Sequence, residues 1–363
     1  MVIATPLGEG GNGGIDRLMD FLRREQESSG DTGIDVSFWV TRGSGSILLA
    51  PFHLTWFLMR LVLARLTSRI DLLHVNLASY GSTYRKLAIC TVARLLDVPY
   101  VLHLHGADYP AFWGSASRGL RRRIVQMYEG SARVVVLGKV WREFVLEIAP
   151  ASRPEVLMNA TPAFDRMPDA STSYSMPLIL FLGRLGERKG TPELIAAAER
   201  IAYLSDWRMI IGGDGPVDET RADVAKRGLS DRISVPGWVG PSQVATLLSS
   251  ADIMVLPSRA ENLPMSVIEG MAAGLAVVTT PVGAVKDIII DGETGILVEP
   301  GDSVALADAL ERMIADPALR ERLGGAAREF HARELAITPY WRKLVTIWRD
   351  VLAEPGPDRS ARS

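Results

Sequence analysis

Cysteine is almost missing from this chain of 363 residues. Cys90 stands alone, so no internal disulfide can form, and neither Cys/Cys nor Cys/His metal spacing occurs. The reducing cytoplasm is the expected compartment. A surplus of either charge is missing too: 40 Lys and Arg against 42 Asp and Glu leave −2, which excludes a general nucleic-acid binder whose affinity comes from neutralising phosphates. No apolar run reaches the roughly 20 residues of a membrane span. The nearest, residues 47–59, contains Pro51 and His53 and ends at Arg60, which fits a buried or interfacial helix. No secretory leader is read ahead of the strand-like Val2-Ile3-Ala4. Internal repeats, low-complexity segments and the D-x-D motif of a metal-bound diphosphate are likewise missing.

What is present is an ordinary globular mixture, 47% hydrophobic and 23% charged, in a chain long enough for two domains. Its charge is uneven. The first 170 residues carry 19 Lys and Arg against 16 Asp and Glu, or +3, and the remainder 21 against 26, or −5. Cations gather at Arg60, Arg65 and Arg69, at Arg85 and Lys86, and at Arg118, Arg121, Arg122 and Arg123. Such a face suits anionic lipid as well as plain solvent.

Short apolar runs separated by stretches of helical period recur through both halves, the pattern of βαβ units and parallel sheets. In the front half they fall at 2–5, 34–40, 71–75, 100–105, 133–137 and 156–158. In the back half they fall at 178–182, 208–211, 233–235, 253–256, 276–279 and 296–298. This predicts two doubly wound sheets joined through 160–176, a stretch rich in Pro and Ser without apolar period. The expected domains are 1–168 and 169–338. A terminal helix at 339–353 and a disordered tail at 354–363 follow.

Ligands of open α/β sheets bind beyond the carboxyl ends of strands, so the residues just after each predicted strand matter most. After the first strand, Gly8, Gly10 and Gly13 satisfy G-x-G-x-x-G ahead of a helix. A dinucleotide site there expects an acid at the end of the second strand, where Thr41-Arg42 stands, and an arginine suits only a phosphorylated ribose. An NADP-dependent oxidoreductase therefore stays open as an alternative. His103 and His105 share one face of the fourth strand, with His105 at its carboxyl end. In the back half, Gly183-Arg184-Leu185-Gly186-Glu187-Arg188-Lys189-Gly190 precedes a helix that Thr191 can cap with Pro192 at its first position. This loop offers Arg184 and Lys189 to a diphosphate. The strongest feature is the run from Ser258 to Gly274. Pro264 suits a first helical position there, Glu261 lies in the loop before it and Glu269 inside the helix. No capping side chain precedes Pro264, so backbone N–H groups stay open to a ligand.

These residues resemble the retaining glycosyltransferases of family 4. Glu261 and Glu269 form the E-x7-E pattern, Gly183–Gly190 is similar to the family's diphosphate loop, and the resemblance extends through Gly212–Pro216 and Gly283–Asp302. It implies the GT-B fold, an α/β architecture of two Rossmann-like doubly wound parallel-sheet domains facing across a cleft. It further implies that Arg184 and Lys189 bind a nucleotide sugar's diphosphate, Glu269 holds the ribose, and Glu261 with the backbone of Asn262, Leu263 and Pro264 engages the sugar. Gly13 and Gly14 would lie beneath the phosphates, His105 would approach the reacting centre, and the region of Trp238 would lodge the base. The catalytic set expected is thus His105, Glu261, Arg184 and Lys189. Asp287 stands where the family usually has Glu, and Asn159-Ala160 where Asn-Gly is common.

The function expected is retaining, metal-independent hexosyl transfer without a cofactor, from a nucleotide-diphosphate sugar to a lipid-linked saccharide. That acceptor belongs to exopolysaccharide or lipopolysaccharide assembly at the cytoplasmic face of the inner membrane, with the basic front half in peripheral contact with anionic lipid. A non-catalytic sugar-nucleotide-binding subunit would be expected to have lost Lys189 or Glu261, and both are present.

Overall fold

A computed structural model describes residues 1–11, 13–30, 33–43, 45–165 and 176–354. The chain divides into two compact units, Met1–Asn159 together with the chain from Ile337, and Ala160–Ala336. The crossings therefore fall at Asn159/Ala160 and Ala336/Ile337. The 168/169 boundary and residues 355–363 of the tail lie outside the described residues.

The first unit is built on a six-stranded parallel sheet of β1 (Val2–Thr5), β2 (Ser37–Val40), β3 (Leu73–Leu77), β4 (Tyr100–Leu104), β5 (Arg133–Val136) and β6 (Pro154–Val156), in the order β2-β1-β3-β4-β5-β6. β1, β3 and β4 are buried along their whole length, the expected state of central parallel strands covered on both faces. β2 begins three residues later than its apolar run, and β6 falls before the expected 156–158, with Pro154 at its first position on the sheet edge.

The crossover helices are α1 (Gly14–Ser28), α2 (Ala50–Leu66), α3 (Gly81–Leu95), α4 (Tyr109–Ser115), α5 (Arg118–Glu129) and α6 (Lys139–Ile148). The apolar run at 47–59 becomes a short 3-10 turn and the first part of α2, and the outcome is an exposed stripe. α2 buries Phe57 and Leu61 but leaves Phe52, Trp56, Met59, Leu63 and Leu66 in solvent. No helix among the described residues is long and apolar enough to cross a membrane.

The second unit repeats the architecture with β7 (Leu178–Leu182), β8 (Arg208–Gly212), β9 (Ile233–Gly237), β10 (Ile253–Leu256), β11 (Ala276–Thr279) and β12 (Ile296–Leu297), ordered β12-β11-β10-β7-β8-β9 and parallel throughout. Its helices are α7 (Thr191–Arg200), α8 (Val217–Lys226), α9 (Pro241–Ser250), α10 (Met265–Ala272), α11 (Ser303–Ala315) and α12 (Pro317–Phe330). The last helix, α13 (Ile337–Ala353), begins two residues before Pro339, which the first turn of a helix tolerates. It belongs to the first unit and packs on α1, burying Tyr340, Trp341, Leu344, Trp348 and Val351. Trp348 Nε1 donates to His74 Nδ1 at 3.2 Å.

Candidate active site

The second sheet reverses its winding between β7 and β10, the switch point beside which doubly wound sheets bind ligands. The loops that leave these two strands are drawn together by backbone. Arg259 N–H donates to the Arg188 carbonyl at 2.9 Å, and a Cβ on Gly190 would lie 2.0 Å from the Pro257 carbonyl oxygen. Gly190 is also left-handed at φ 71°, so glycine is required there twice over.

This closeness delivers Lys189 to Glu261. Lys189 Nζ donates to Glu261 Oε1 at 2.5 Å, and Ser258 Oγ donates to the same oxygen at 2.7 Å. Exposure is 14% for the lysine and 8% for the glutamate, so the pair interacts largely out of water. The Ser258 carbonyl is in turn held by Thr280 Oγ1, just beyond β11, at 2.5 Å.

Glu261 to Pro264 lead into α10, whose residues are all buried, Glu269 included. Pro264 is not the first helical residue: it stands one place earlier, extended at ψ 126°, and the helix starts at Met265. A proline pushes the residue before it out of helical geometry and fits just ahead of a first turn, so the one-residue difference is a matter of where ψ turns. No side chain caps α10, which leaves its first-turn N–H groups without that partner. Asn262 and Leu263 are buried beside them, and the Asn262 carbonyl accepts from Ala284 N–H at 2.8 Å.

Arg184 does not join this network. Its side chain is 67% exposed and meets Asp214 at 3.4 Å. Thr191 is not a cap either: Gly190 holds that position, and Thr191 Oγ1 accepts from Gly186 N–H at 3.0 Å, closing the basic loop on itself. Trp238 follows β9 and is half exposed.

In the first unit the glycine loop wraps around α1. Leu7 N–H donates to Asp16 Oδ1 at 3.1 Å and Gly10 N–H to Asp20 Oδ2 at 3.0 Å. A Cβ on Gly11 would lie 2.6 Å from the Asp16 carboxyl carbon. Two backbone donors are thus already given to carboxylates, which an open pyrophosphate-binding G-x-G-x-x-G loop would not do. Gly13 caps α1 and Gly14 opens it.

His105 follows β4 and is half-buried. Its Nε2 lies 2.9 Å from Asn76 Oδ1, and Asn76 Nδ2 donates to the Ala4 carbonyl at 3.2 Å. That second bond fixes the amide, so Oδ1 is the acceptor and His105 carries its proton on Nε2. Behind it His103, whose ring centroid is 4.0 Å away, meets His74 at 3.2 Å. Desolvation pushes His74 and His105 down to about 3, and His103 falls well below the ordinary range, so all three rings are neutral near pH 7.

Sequence reasoning missed Ser258, Asn76 and Thr280. Ser258 sits three residues before Glu261 and could have been found as a local partner, whereas Asn76 on β3 and Thr280 just beyond β11 are far from their partners in sequence and carry no local signal.

The architecture is of two-Rossmann type, and comparison with known proteins identifies the class as glycosyltransferase. Residues 168–330 match the family described as glycosyl transferases group 1, and residues 3–160 the glycosyl transferase 4-like domain. The chain is 30% identical over 286 residues to alpha-D-kanosaminyltransferase of Streptomyces kanamyceticus, covering 72% of each. It is 27% identical over 331 residues to alpha-maltose-1-phosphate synthase of Mycobacterium tuberculosis, covering 79% of this chain and 84% of that one. Among solved structures, sucrose-phosphate synthase from Thermosynechococcus elongatus superposes with a TM-score of 0.80 at 20% identity, over 97% of this chain and 98% of the other. Anabaena HepE in complex with UDP and glucose gives 0.76 at 18%, over 96% and 100%. The chain belongs to the GT-B, family 4-type glycosyltransferases.

Proposed function

We propose that this glycosyltransferase moves a hexosyl group from a nucleoside-diphosphate sugar to a lipid-linked saccharide, with retention at the anomeric carbon and without a metal ion. The observation that carries the donor half of this reading is the Lys189–Glu261–Ser258 network at the switch point of the second sheet. A lysine held largely out of water beside uncapped helix N–H groups is equipped to take the charge that develops on a departing diphosphate. Arg184, free to swing from its exposed site, adds a second cation to that diphosphate. Glu269, about one turn into α10, takes the ribose hydroxyls, Glu261 and the Asn262–Pro264 backbone take the sugar, and Trp238 stacks on the base.

In the step itself the bond from the anomeric carbon to the diphosphate oxygen breaks while the acceptor oxygen bonds to the same face. The acceptor's hydroxyl proton passes to the leaving phosphate, which removes the need for a carboxylate nucleophile. His105, neutral and with its Nδ1 lone pair available by tautomer, accepts from a hydroxyl of the transferred sugar. The exposed apolar stripe of α2 and the basic helices of the first unit support an acceptor carried at an anionic membrane face within exopolysaccharide or lipopolysaccharide assembly.

A thermal-shift panel of UDP and GDP sugars tests the donor. At 100 times its Kd the true donor stabilises the fold by about 2.7 kcal/mol. No shift with any nucleotide sugar refutes the reading. The anomeric configuration of the product, read by NMR in a reaction run with chelator, tests retention and metal independence together.

A further inference from the structure

A second cluster of charge lies in the first unit, on residues with no part in the donor site. Lys86 of α3 is 1% exposed, and its Nζ donates to Thr41 Oγ1 at 2.8 Å. Thr41 Oγ1 in turn donates to the Thr5 carbonyl at 2.9 Å, so the lysine is seated at the carboxyl ends of β1 and β2. Chain continuity brings two more cations with it, since Arg42 follows Thr41 and Arg85 precedes Lys86. The Nε atoms of Arg42 and Arg85 are both buried and both lack a hydrogen-bond partner.

Like charge acts along the cluster, from Arg42 on Arg85 and from Arg85 on Lys86. Desolvation, then the Arg42 charge, lowers Arg85; desolvation, then Arg85, pushes Lys86 down to about 7. Asp16 is the one carboxylate among the described residues that acts on Lys86. Its effect is the smallest of those on the lysine, and its Oδ1 is already taken by Leu7 N–H. A buried ammonium with only a weak counter-charge is costly to a fold, and buried guanidinium Nε–H groups left without acceptors add to that cost. Such a cluster at the carboxyl edge of a doubly wound sheet marks a ligand site.

We propose that Arg42, Arg85 and Lys86 form a binding site for a phosphate group of the acceptor. Two guanidinium edges and an ammonium match a phosphate dianion better than a single carboxylate, because each arginine can engage two oxygens. The site rests on the reading that the first unit holds the acceptor. Its surroundings fit a phosphate at the head of an amphiphile: Gly43, the next residue after Arg42, lies so close to His53 of α2 that a Cβ there would come within 2.2 Å of Nε2. From that helix Phe52, Trp56 and Met59 project into solvent.

The test follows the arginine Nε–H resonances of the full chain by NMR, assigned through Arg42→Lys and Arg85→Lys. Inorganic phosphate is one titrant, and phosphatidylcholine vesicles with and without phosphatidic acid are the other. Shifts of both resonances that saturate with inorganic phosphate identify a site open to soluble phosphorylated acceptors. Shifts with phosphatidic acid vesicles alone, abolished by Arg85→Gln, identify a lipid-borne headgroup. No shift with either titrant, or equal binding by Arg85→Gln, overturns the site.

Because Arg85→Gln removes a like charge, its melting temperature without phosphate should equal or exceed that of the parent chain. Its affinity for phosphate should fall at least tenfold. A lower melting temperature with an unchanged phosphate response would mean a structural role and overturn the proposal. The donor reading fails separately, through Lys189 variants that leave turnover intact while these arginine signals still respond.

Discussion

Lys189 and Glu261, 72 residues apart in sequence, share one hydrogen bond of 2.5 Å across the switch point of the second sheet. Each had its own expected partner, a diphosphate for the lysine and a sugar for the glutamate. In the structure each is the other's partner. On the proposed reading a donor competes for this bond, and Ser258 Oγ, bonded to the same carboxylate oxygen at 2.7 Å, is a second partner for Glu261.

The first prediction separates stability from catalysis at this pair. Lys189→Ala leaves a buried carboxylate without its cation and should cost about 3 kcal/mol in urea unfolding. It should also lower kcat by roughly 10²-fold. Adding Glu261→Gln removes the stranded charge, so stability should recover by about 1 kcal/mol or more while turnover stays low. A double-mutant cycle in which both quantities recover together would show that the lysine acts only through the fold.

Glu269 should report on binding. It is buried about one turn into α10, beyond the loop that carries Glu261. If it holds the ribose in ground state and transition state alike, Glu269→Ala raises donor KM by tenfold or more and leaves kcat within a few-fold. Steady-state kinetics with saturating acceptor decide this.

Gly190 sets the distance between the two loops. Gly190→Ala combines a left-handed φ of 71° with a Cβ 2.0 Å from the Pro257 carbonyl. The β7 loop must move away from the β10 loop, breaking the reach of Lys189 to Glu261. Expected are a stability loss of about 1–3 kcal/mol and a fall in kcat comparable to that of Lys189→Ala, measured on folded protein.

Much of this was legible because parallel strands buried on both faces read as plain apolar runs. β1, β7, β10 and β11 match their runs residue for residue. The edges were harder, since β2 and β6 are half-exposed and their apolar character spills past their hydrogen bonds. In the site, residue types at strand ends pointed to Lys189, Glu261 and Glu269. What the sequence could not supply was pairing across strands: Lys189 with Glu261, His105 with Asn76, Lys86 with Thr41. The exposure of α2 was equally hidden, because an apolar stripe reads the same whether it meets a core or solvent.

Acid should weaken the fold through its buried histidines. His74 is pushed down to about 3 by desolvation, against 6.5 in an exposed chain, so the unfolded state takes up the proton first. The stability it preserves is complete above pH 6.5 and is lost as pH falls toward 3, at about 1.4 kcal/mol per pH unit per such histidine. His331, lowered to about 4 in the second unit, adds the same sign over a narrower window. Urea unfolding at intervals from pH 4 to 7 should show this slope. His74→Phe should flatten it by about one proton even though Trp348 loses its acceptor.

Asn76 acts on His105 as a positioning residue, and its removal should change proton chemistry more than structure. With Oδ1 accepting from Nε2–H and Nδ2 held by the Ala4 carbonyl, the imidazole is locked with its lone pair on Nδ1. Two-bond ¹⁵N–¹H spectra should report the Nε2–H tautomer for His105, its signals identified by their absence in His105→Gln, alongside the Nε2–H signals of His74 and His103, whose Nδ1 atoms accept from Trp348 and His74. Asn76→Asp puts a negative charge at the same oxygen, stabilises the imidazolium and raises the pKa of His105 from its depressed value. If neutral His105 accepts from the sugar, the Asn76→Asp enzyme should lose kcat as pH falls through the new pKa and regain it at alkaline pH. Asn76→Leu, which frees the ring without charging it, should lower activity at every pH. A merely structural asparagine would give parallel losses in both variants and leave the parent pH profile in place.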